Sequence, residues 1–262
     1  MQPPFTFVVV LALLLTAGGC VVERPPNRLE GTAQDEWTRT YTLPEGAELQ
    51  ITNPEGAVEI QGVDGNAVDV RVERIVHAAN NEAAAEIVPR ISIKEEVVPD
   101  RISIRTEGLG GIIIGVRFET TYRVRAPKTA RLRVRGSDSV SVRGFSGRVV
   151  VTGVNAMVTG EDLRGGVEAR SVNGDVSITM ASLGGDLVDI RATNGNLQLT
   201  IPRNANANLN ALANRGRVDV TDLEYEPMGG DQSQRRVRGR INAGGSPIEL
   251  NATNGNIVVN GQ

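Results

Sequence analysis

Residues 167–180, Val167-Glu168-Ala169-Arg170-Ser171-Val172-Asn173-Gly174-Asp175-Val176-Ser177-Ile178-Thr179-Met180, hold the pattern that decides the fold. Two short runs of the form apolar-x-apolar, Val167/Ala169 and Val176/Ile178, flank an Asn-Gly pair. Alternation of period two sends one set of side chains into a core and the other into water, which predicts half-buried strands. The unit recurs on both sides: Val140/Val142 and Val149/Val151 precede it. Val188/Ile190, Leu197/Leu199, Leu209/Ala211, Val218/Val220, Ile248/Leu250 and Ile257/Val259 follow. Runs starting at Val140, Val149, Val158, Val167 and Val176 stand nine residues apart. The next steps alternate between 12 and 9, so the full period is 18 and then 21 residues; a step of 30 leads to Ile248 and one of 9 to Ile257. A period held so constant predicts stacked coils.

Glycine stands two residues ahead of many of these runs, at Gly56, Gly147, Gly165, Gly174, Gly195, Gly216 and Gly255. Gly56, Gly174, Gly195, Gly216 and Gly255 are read as corner turns, on the ground that glycine takes positive φ freely and a preceding Asn suits a turn. The expected fold is an all-β single-chain solenoid with coils of 18–21 residues. Asn-Gly between alternating runs is also a hairpin signal, so a meander or β-sandwich is the alternative. Composition agrees with either. Aromatics are 3% of the chain, so Val, Ile, Leu and Ala must fill the core. Thirty glycines argue against a helical protein, because each one inside a helix weakens it by roughly 1 kcal/mol relative to Ala.

Ahead of the repeats, strands are expected around Tyr41, Leu49/Ile51, Val58/Ile60 and Val68/Val70/Val72. Residues 80–88, opening with Asn80-Asn81, predict one helix with Asn as N-cap and Pro89 ending it. Ile91/Ile93 and Ile102/Ile104 read as a hairpin. This helix-bearing insertion is placed to cap the solenoid, whose end strands would otherwise expose unpaired edges.

Residues 5–16 form an uncharged apolar run. It is shorter than the roughly 20 residues a bilayer needs and suits the apolar segment of a signal peptide. Ala17, Gly18 and Gly19 follow, then Cys20, the one thiol of the chain. The segment resembles a bacterial lipoprotein signal, which implies cleavage after residue 19 and lipid on the Cys20 sulfur. It departs from that pattern in having Ala17 where Leu is usual and no Lys or Arg ahead of the apolar run. The alternatives are a secretory signal without lipidation and a buried N-terminal strand. Val21, rather than Asp, points through the sorting rule of such lipoproteins to the outer membrane. Residues 1–19 are thus assigned to the signal, 20–36 to a tether carrying Pro25-Pro26, and 37–262 to the solenoid.

Chemistry-bearing clusters are sparse. One cysteine excludes an intrachain disulfide framework, and Cys20 with His77 cannot furnish a zinc site. His77 reads as structural or solvent-exposed, so nucleophilic catalysis lacks its usual base. Glu95-Glu96 and Glu161-Asp162 keep a glycan-active enzyme as a third reading. Asn173-Gly174-Asp175 is similar to a calcium β-roll turn, but Asp175 becomes Asn196, Arg217 and Asn256 in equivalent turns, whereas calcium demands several carboxylates. Gly108-Leu109-Gly110-Gly111-Ile112 opens no helix and reads as a flexible loop rather than a phosphate cradle. No catalytic residue, metal or cofactor is expected.

The chain carries a net charge of −3, so no overall field draws it to nucleic acid. Residues 117–148 nevertheless hold nine basic residues against Glu119 and Asp138. Arg131, Arg133 and Arg135 alternate with Leu132 and Val134 and so share an exposed strand face, a candidate surface for an anionic ligand. A second cluster, Arg235, Arg236, Arg238 and Arg240, falls in the long step before Ile248 and reads as a loop.

The order of features resembles a bacterial domain-of-unknown-function family labelled "putative adhesin", built from β-strand repeats. The residues that carry the resemblance are Asn53-Pro54-Glu55-Gly56-Ala57-Val58-Glu59-Ile60, Tyr122-Arg123-Val124-Arg125-Ala126-Pro127, Leu199-Thr200-Ile201-Pro202 and Asn254-Gly255-Asn256-Ile257. It implies a Gly-rich β-solenoid over residues 37–262, often exported and lipid-anchored, and carries over no functional residue. The leading functional expectation is a non-catalytic envelope protein, held to the membrane by its N-terminal lipid. It would present a regular surface to an envelope polymer or protein. The alternative is an envelope-stress or signalling accessory acting through a membrane partner.

Overall fold

The computed structural model describes residues 29–110, 114–229 and 233–262; the apolar run, Cys20 and residues 21–28 of the tether lie outside them. Where the sequence alternates, strands form. β1 (Gly31–Thr42), β2 (Glu48–Asn53), β3 (Ala57–Val63) and β4 (Ala67–Ala78) lead to α1 (Asn81–Ile87) and a 3-10 turn at Val88–Arg90. The hairpin of β5 (Ser92–Val98) and β6 (Arg101–Glu107) follows. Next come β7 (Arg117–Pro127), β8 (Arg131–Gly136), β9 (Ser139–Arg143), β10 (Val149–Gly153), β11 (Met157–Leu163), β12 (Val167–Asn173) and β13 (Val176–Met180). β14 (Val188–Asn194), β15 (Leu197–Ile201), β16 (Ala207–Arg215) and β17 (Val218–Thr221) keep the rhythm. β18 (Tyr225–Pro227) and β19 (Arg236–Ile241) interrupt it, and β20 (Ser246–Asn254) and β21 (Ile257–Gly261) resume it. Residues 31–36, assigned to the tether from composition, are the first half of β1, paired antiparallel with β4.

Successive strands of the repeat fall in different sheets, a ten-stranded sheet A and an eleven-stranded sheet B. Each coil supplies one strand to B and the next to A, so the nine-residue step crosses the core and the period of 18–21 residues closes one coil. Coil-to-coil pairing is parallel and in register: Ala169 of β12 lies opposite Val151 of β10 and Ile190 of β14. A hairpin at Asn173-Gly174 would have paired β12 with β13, which instead belong to opposite sheets. The fold is the solenoid, not the meander. Between Val140 and Val259 every repeat residue named above is buried except Val220, which is half-buried. Leu, Ile, Val and Ala from both sheets make one continuous core.

The coils do not stack in chain order. Sheet A runs β1-β4-β7-β3-β9-β11-β13-β15-β21-β17 and sheet B runs β18-β19-β16-β20-β14-β12-β10-β8-β2-β6-β5. The coil of β2 and β3 therefore sits inside that of β6 and β7, and the last coil, β20 and β21, is wedged between β14/β15 and β16/β17. Each end uses the same device. A coil is laid down, the chain makes an antiparallel excursion, and a further coil stacks on the coil's neighbouring side. The excursions supply β4, β5 and β19, which pair antiparallel with the outermost coils and cover parallel edges that would otherwise recruit another chain.

The first excursion also carries α1, as the sequence predicts: the Asn80 side chain accepts from the Ala83 amide at 2.8 Å. Ala84 and Val88 pack with Val76, Ala78 and Ile91 in a small second cluster. Pro89 lies in the first turn of the 3-10 segment, where a missing N–H does no harm. At this end the Tyr41 hydroxyl donates to the Glu95 carboxylate, tying the edge strands β1 and β5 of the two sheets together. Arg39 stacks 5.2 Å above the Trp37 ring.

The corner glycines form a column. A Cβ on Gly195 would collide with the carbonyl oxygen of Gly174, one on Gly255 with that of Gly195, and one on Gly216 with that of Gly255. Gly56 and Gly174 do have positive φ, 106° and 145°, but Gly195 and Gly216 do not. The positive-φ reading is therefore corrected for those two: close approach between coils is what excludes a side chain. Beside the column runs an asparagine ladder in which Asn173 donates to Asn155, Asn194 to Asn173 and Asn254 to Asn194, at 2.7–2.8 Å. Its order, 155-173-194-254, is the spatial order of the coils.

Candidate functional site

Alternation along β8 turns Leu132 and Val134 into the core and leaves Arg131, Arg133 and Arg135 exposed on the outer face of sheet B. Their surroundings differ. Arg131 Nε donates to the Gly46 carbonyl at 2.9 Å. Arg133 lies 3.5 Å from the Glu48 carboxylate. The Arg135 guanidinium has no ion pair or hydrogen bond among the described residues. Arg133 and Arg135 border a shallow depression of about 380 Å³, shared with Gln50 and Thr52 of β2.

Register extends Arg135 into a row across the sheet. Thr52 pairs with Arg105 on one side and Arg135 on the other. Thr152 pairs with Arg135 and Arg170, and Arg170 with Arg191. The outward row Arg105-Thr52-Arg135-Thr152-Arg170-Arg191 thus contains four cations and no carboxylate. It continues to Lys94 at one end and through Asn251 and Leu212 to Arg236 at the other. Threonine separates the first three arginines, which avoids directly opposed like charges. Arg170 and Arg191 are adjacent, and the buried Asp189 lies between them, 2.8 Å from Arg191 and 3.7 Å from Arg170. That carboxylate pushes the Arg191 guanidinium pKa further up. The neighbouring row is where the acids fall: Glu168, Asp189 and Glu249 stand in register.

The sequence found Arg135 but not its partners in the row. Arg170 and Arg191 were within reach, since they lie 21 residues apart at the same place in consecutive coils. Thr52 and Arg105 become neighbours of Arg135 only because β2 is intercalated. The basic segment 117–148 is also divided between the two sheets, since Arg123, Arg125 and Arg143 lie on the outer face of sheet A. There they line a larger depression of about 660 Å³ together with Arg71, Glu59 and Asp69. That depression is charge-compensated: Arg123 pairs with Glu59 and Glu73, at 3.6 and 3.3 Å. Arg71 pairs with Glu36 and Arg143 with Glu161. The second basic cluster is strand rather than loop, with Arg236, Arg238 and Arg240 in β19 on the outer face of sheet B.

The groups weighed for catalysis are occupied structurally. His77 Nδ1 lies 3.0 Å from the Thr32 hydroxyl. Glu95 and Glu96 are engaged with Tyr41 and Arg101, and Glu161 and Asp162 with Arg143 and Arg164. Among the described residues no group of three or more His, Cys, Asp or Glu is placed to hold a metal, and no helix is long and apolar enough to cross a membrane.

Solved structures of other proteins are distantly similar to this chain. A putative cell adhesion protein from Clostridium sporogenes is 14% identical, with TM-score 0.44, covering 87% of this chain and 100% of its own. A putative adhesin from Bacteroides fragilis is 11% identical, with TM-score 0.37, covering 86% and 97%. Among curated proteins nothing matches. The family model described as Toastrack DUF4097 matches residues 44–260, from just before β2 to the last strand, and the chain belongs to that family.

Proposed function

We propose that the protein is a non-catalytic, exported envelope lipoprotein that presents the outer face of sheet B to an anionic envelope polymer. Lipopolysaccharide and other phosphate- or carboxylate-bearing glycans are the chemical class. The observation that carries this reading is the row through Arg135, which gathers cations from separate coils, has no acidic residue at its own positions and leaves the Arg135 guanidinium without a partner among the described residues. Guanidinium groups suit two-pronged contact with phosphate or carboxylate, and a regular sheet offers them at fixed spacing. The apolar run at residues 5–16 and Cys20 support export and lipid anchoring, which would hold this face at a membrane surface where such polymers are concentrated.

Titration of the purified domain with lipopolysaccharide and with acidic polysaccharides, at low and high salt, tests the reading. Binding is expected to weaken steeply with salt, since exposed charges are screened within about 10 Å at 0.1 M. Replacing Arg131, Arg133 and Arg135 together by Ser should reduce it while leaving the circular dichroism spectrum unchanged. Undiminished binding by the triple variant at low salt would assign those arginines to solubility alone.

A further inference from the structure

The outer face of sheet B has a direction as well as a charge, and this extends the polymer-binding reading on which it rests. Adjacent strands lie about 4.8 Å apart, so Arg105, Arg135 and Arg170, each separated by one threonine-bearing strand, recur roughly every 9.6 Å along the solenoid axis. That interval is close to the length of one extended disaccharide. The row is straight because the strands pair in register, and it crosses the strands rather than following one. Beside it, the residues two further along β12 and just past β10, Val172 and Val154, are 44% and 54% exposed. They are linked across the coils by the Asn173 amide, which donates to the Val154 carbonyl at 2.8 Å. Two apolar side chains thus flank the cationic track where the faces of sugar rings would lie. The hydroxyls of Thr52 and Thr152 fill the intervals with groups that donate and accept.

We infer that this track binds a linear acidic polysaccharide lying along the solenoid axis, with one carboxylate or sulfate per disaccharide engaging Arg105, Arg135 and Arg170 in turn. Arg135 is the central contact, since its guanidinium has no partner among the described residues. Arg105 pairs with exposed Glu107 at 2.9 Å, a contact that an incoming anion displaces readily. Arg170 pairs with half-buried Glu168 at 3.0 Å and lies 3.7 Å from buried Asp189, and its five-donor guanidinium keeps further N–H groups for an incoming anion. The match ends at Arg191, which stands one strand beyond Arg170 and so breaks the two-strand interval, and three anionic groups fill the track.

Hyaluronan oligosaccharides carry one carboxylate per disaccharide, and oligogalacturonates carry one per sugar; both are probes for titration at low salt. Hyaluronan affinity is expected to rise by about tenfold or more from tetrasaccharide to hexasaccharide, as the third carboxylate binds intramolecularly, and then to level off. Arg105→Gln, Arg135→Gln and Arg170→Gln together should remove that rise. Arg71→Gln, Arg123→Gln and Arg143→Gln, an equal loss of charge on the opposite face, should keep it. Affinity that follows total charge alone, with oligogalacturonate stronger at every length and both triple variants equally weakened, would overturn the spaced track while leaving polymer binding intact. No binding of either probe or of lipopolysaccharide would overturn both.

Discussion

A valine at position 195 would drive its Cβ into the Gly174 carbonyl oxygen of the coil below, and no rotamer relieves a backbone collision. Gly195→Val should therefore destabilise the fold by about 1–3 kcal/mol or more, and Gly195→Ala should also be harmful, because the clash begins at Cβ. Thermal melting checks this; an unchanged Tm for Gly195→Ala would mean that the column is looser than its geometry. The Asn-Pro-Glu-Gly stretch at 53–56 has a comparable explanation. Buried Asn53 donates to the Thr120 carbonyl at 2.7 Å and accepts from the Thr120 hydroxyl, joining β2 to β7. Asn53→Ala takes that donor from the buried Thr120 carbonyl and leaves the Thr120 hydroxyl only its bond to the Glu55 carbonyl, and should lower stability by about 1–3 kcal/mol in urea denaturation. Tyr122 responds to pH. Burial pushes its phenol from 10.0 up to about 12, an effect that the Thr106 hydroxyl only partly opposes. The unfolded chain releases that proton first, so stability is complete below about pH 10 and falls as pH rises towards about 12. Tyr122→Phe should flatten that part of the profile. Positions of the glycines were legible from spacing, but the reason for Gly195 and Gly216 was not, since it lies in the next coil.

Strands are local in origin, so alternation and the nine-residue step displayed nearly all of them in the sequence. The stacking order is not local. Coils with similar Val, Ile and Leu inner faces can pair with one another in many orders, and the antiparallel excursions at the two ends select the order formed. A 30-residue step marks where the second excursion lies but not that the coil after it is wedged inward. Cysteines test the order in a Cys20→Ser background. Asn194 and Asn254 lie on adjacent strands, about 4.8 Å apart, so Asn194→Cys with Asn254→Cys should form a disulfide under mild oxidation. Arg215 is one strand further on, beyond the roughly 7 Å limit for bridging, so Asn194→Cys with Arg215→Cys should not. Coils stacked in chain order would give the reverse result. By the same topology, removing residues 246–262 takes the parallel partners from β16 and β17 and should abolish cooperative unfolding.

Across the whole molecule, strand parity divides one basic stretch of sequence between two opposite faces, and intercalation then recruits Thr52 and Arg105 to the side that holds Arg135. The basic excess was legible in the sequence; its collection into a carboxylate-free row was not, because the row takes one residue from each of six strands spread over residues 52–191. The proposed delivery is a separate property that rests on the first twenty residues. A fatty-acid analogue should label the wild type in cells and leave Cys20→Ser unlabelled and released from membranes; equal membrane retention of the two would remove lipid anchoring from the account. The proposed function turns on which face would meet the polymer, and the guanidinium Nε–Hε resonances of the folded protein report this directly during titration with an acidic polysaccharide. The resonances of Arg105, Arg135 and Arg170 are predicted to shift together and saturate at one midpoint, while those of Arg71, Arg123 and Arg143 on sheet A stay in place. Shifts confined to sheet A, or spread evenly over both faces, would contradict it.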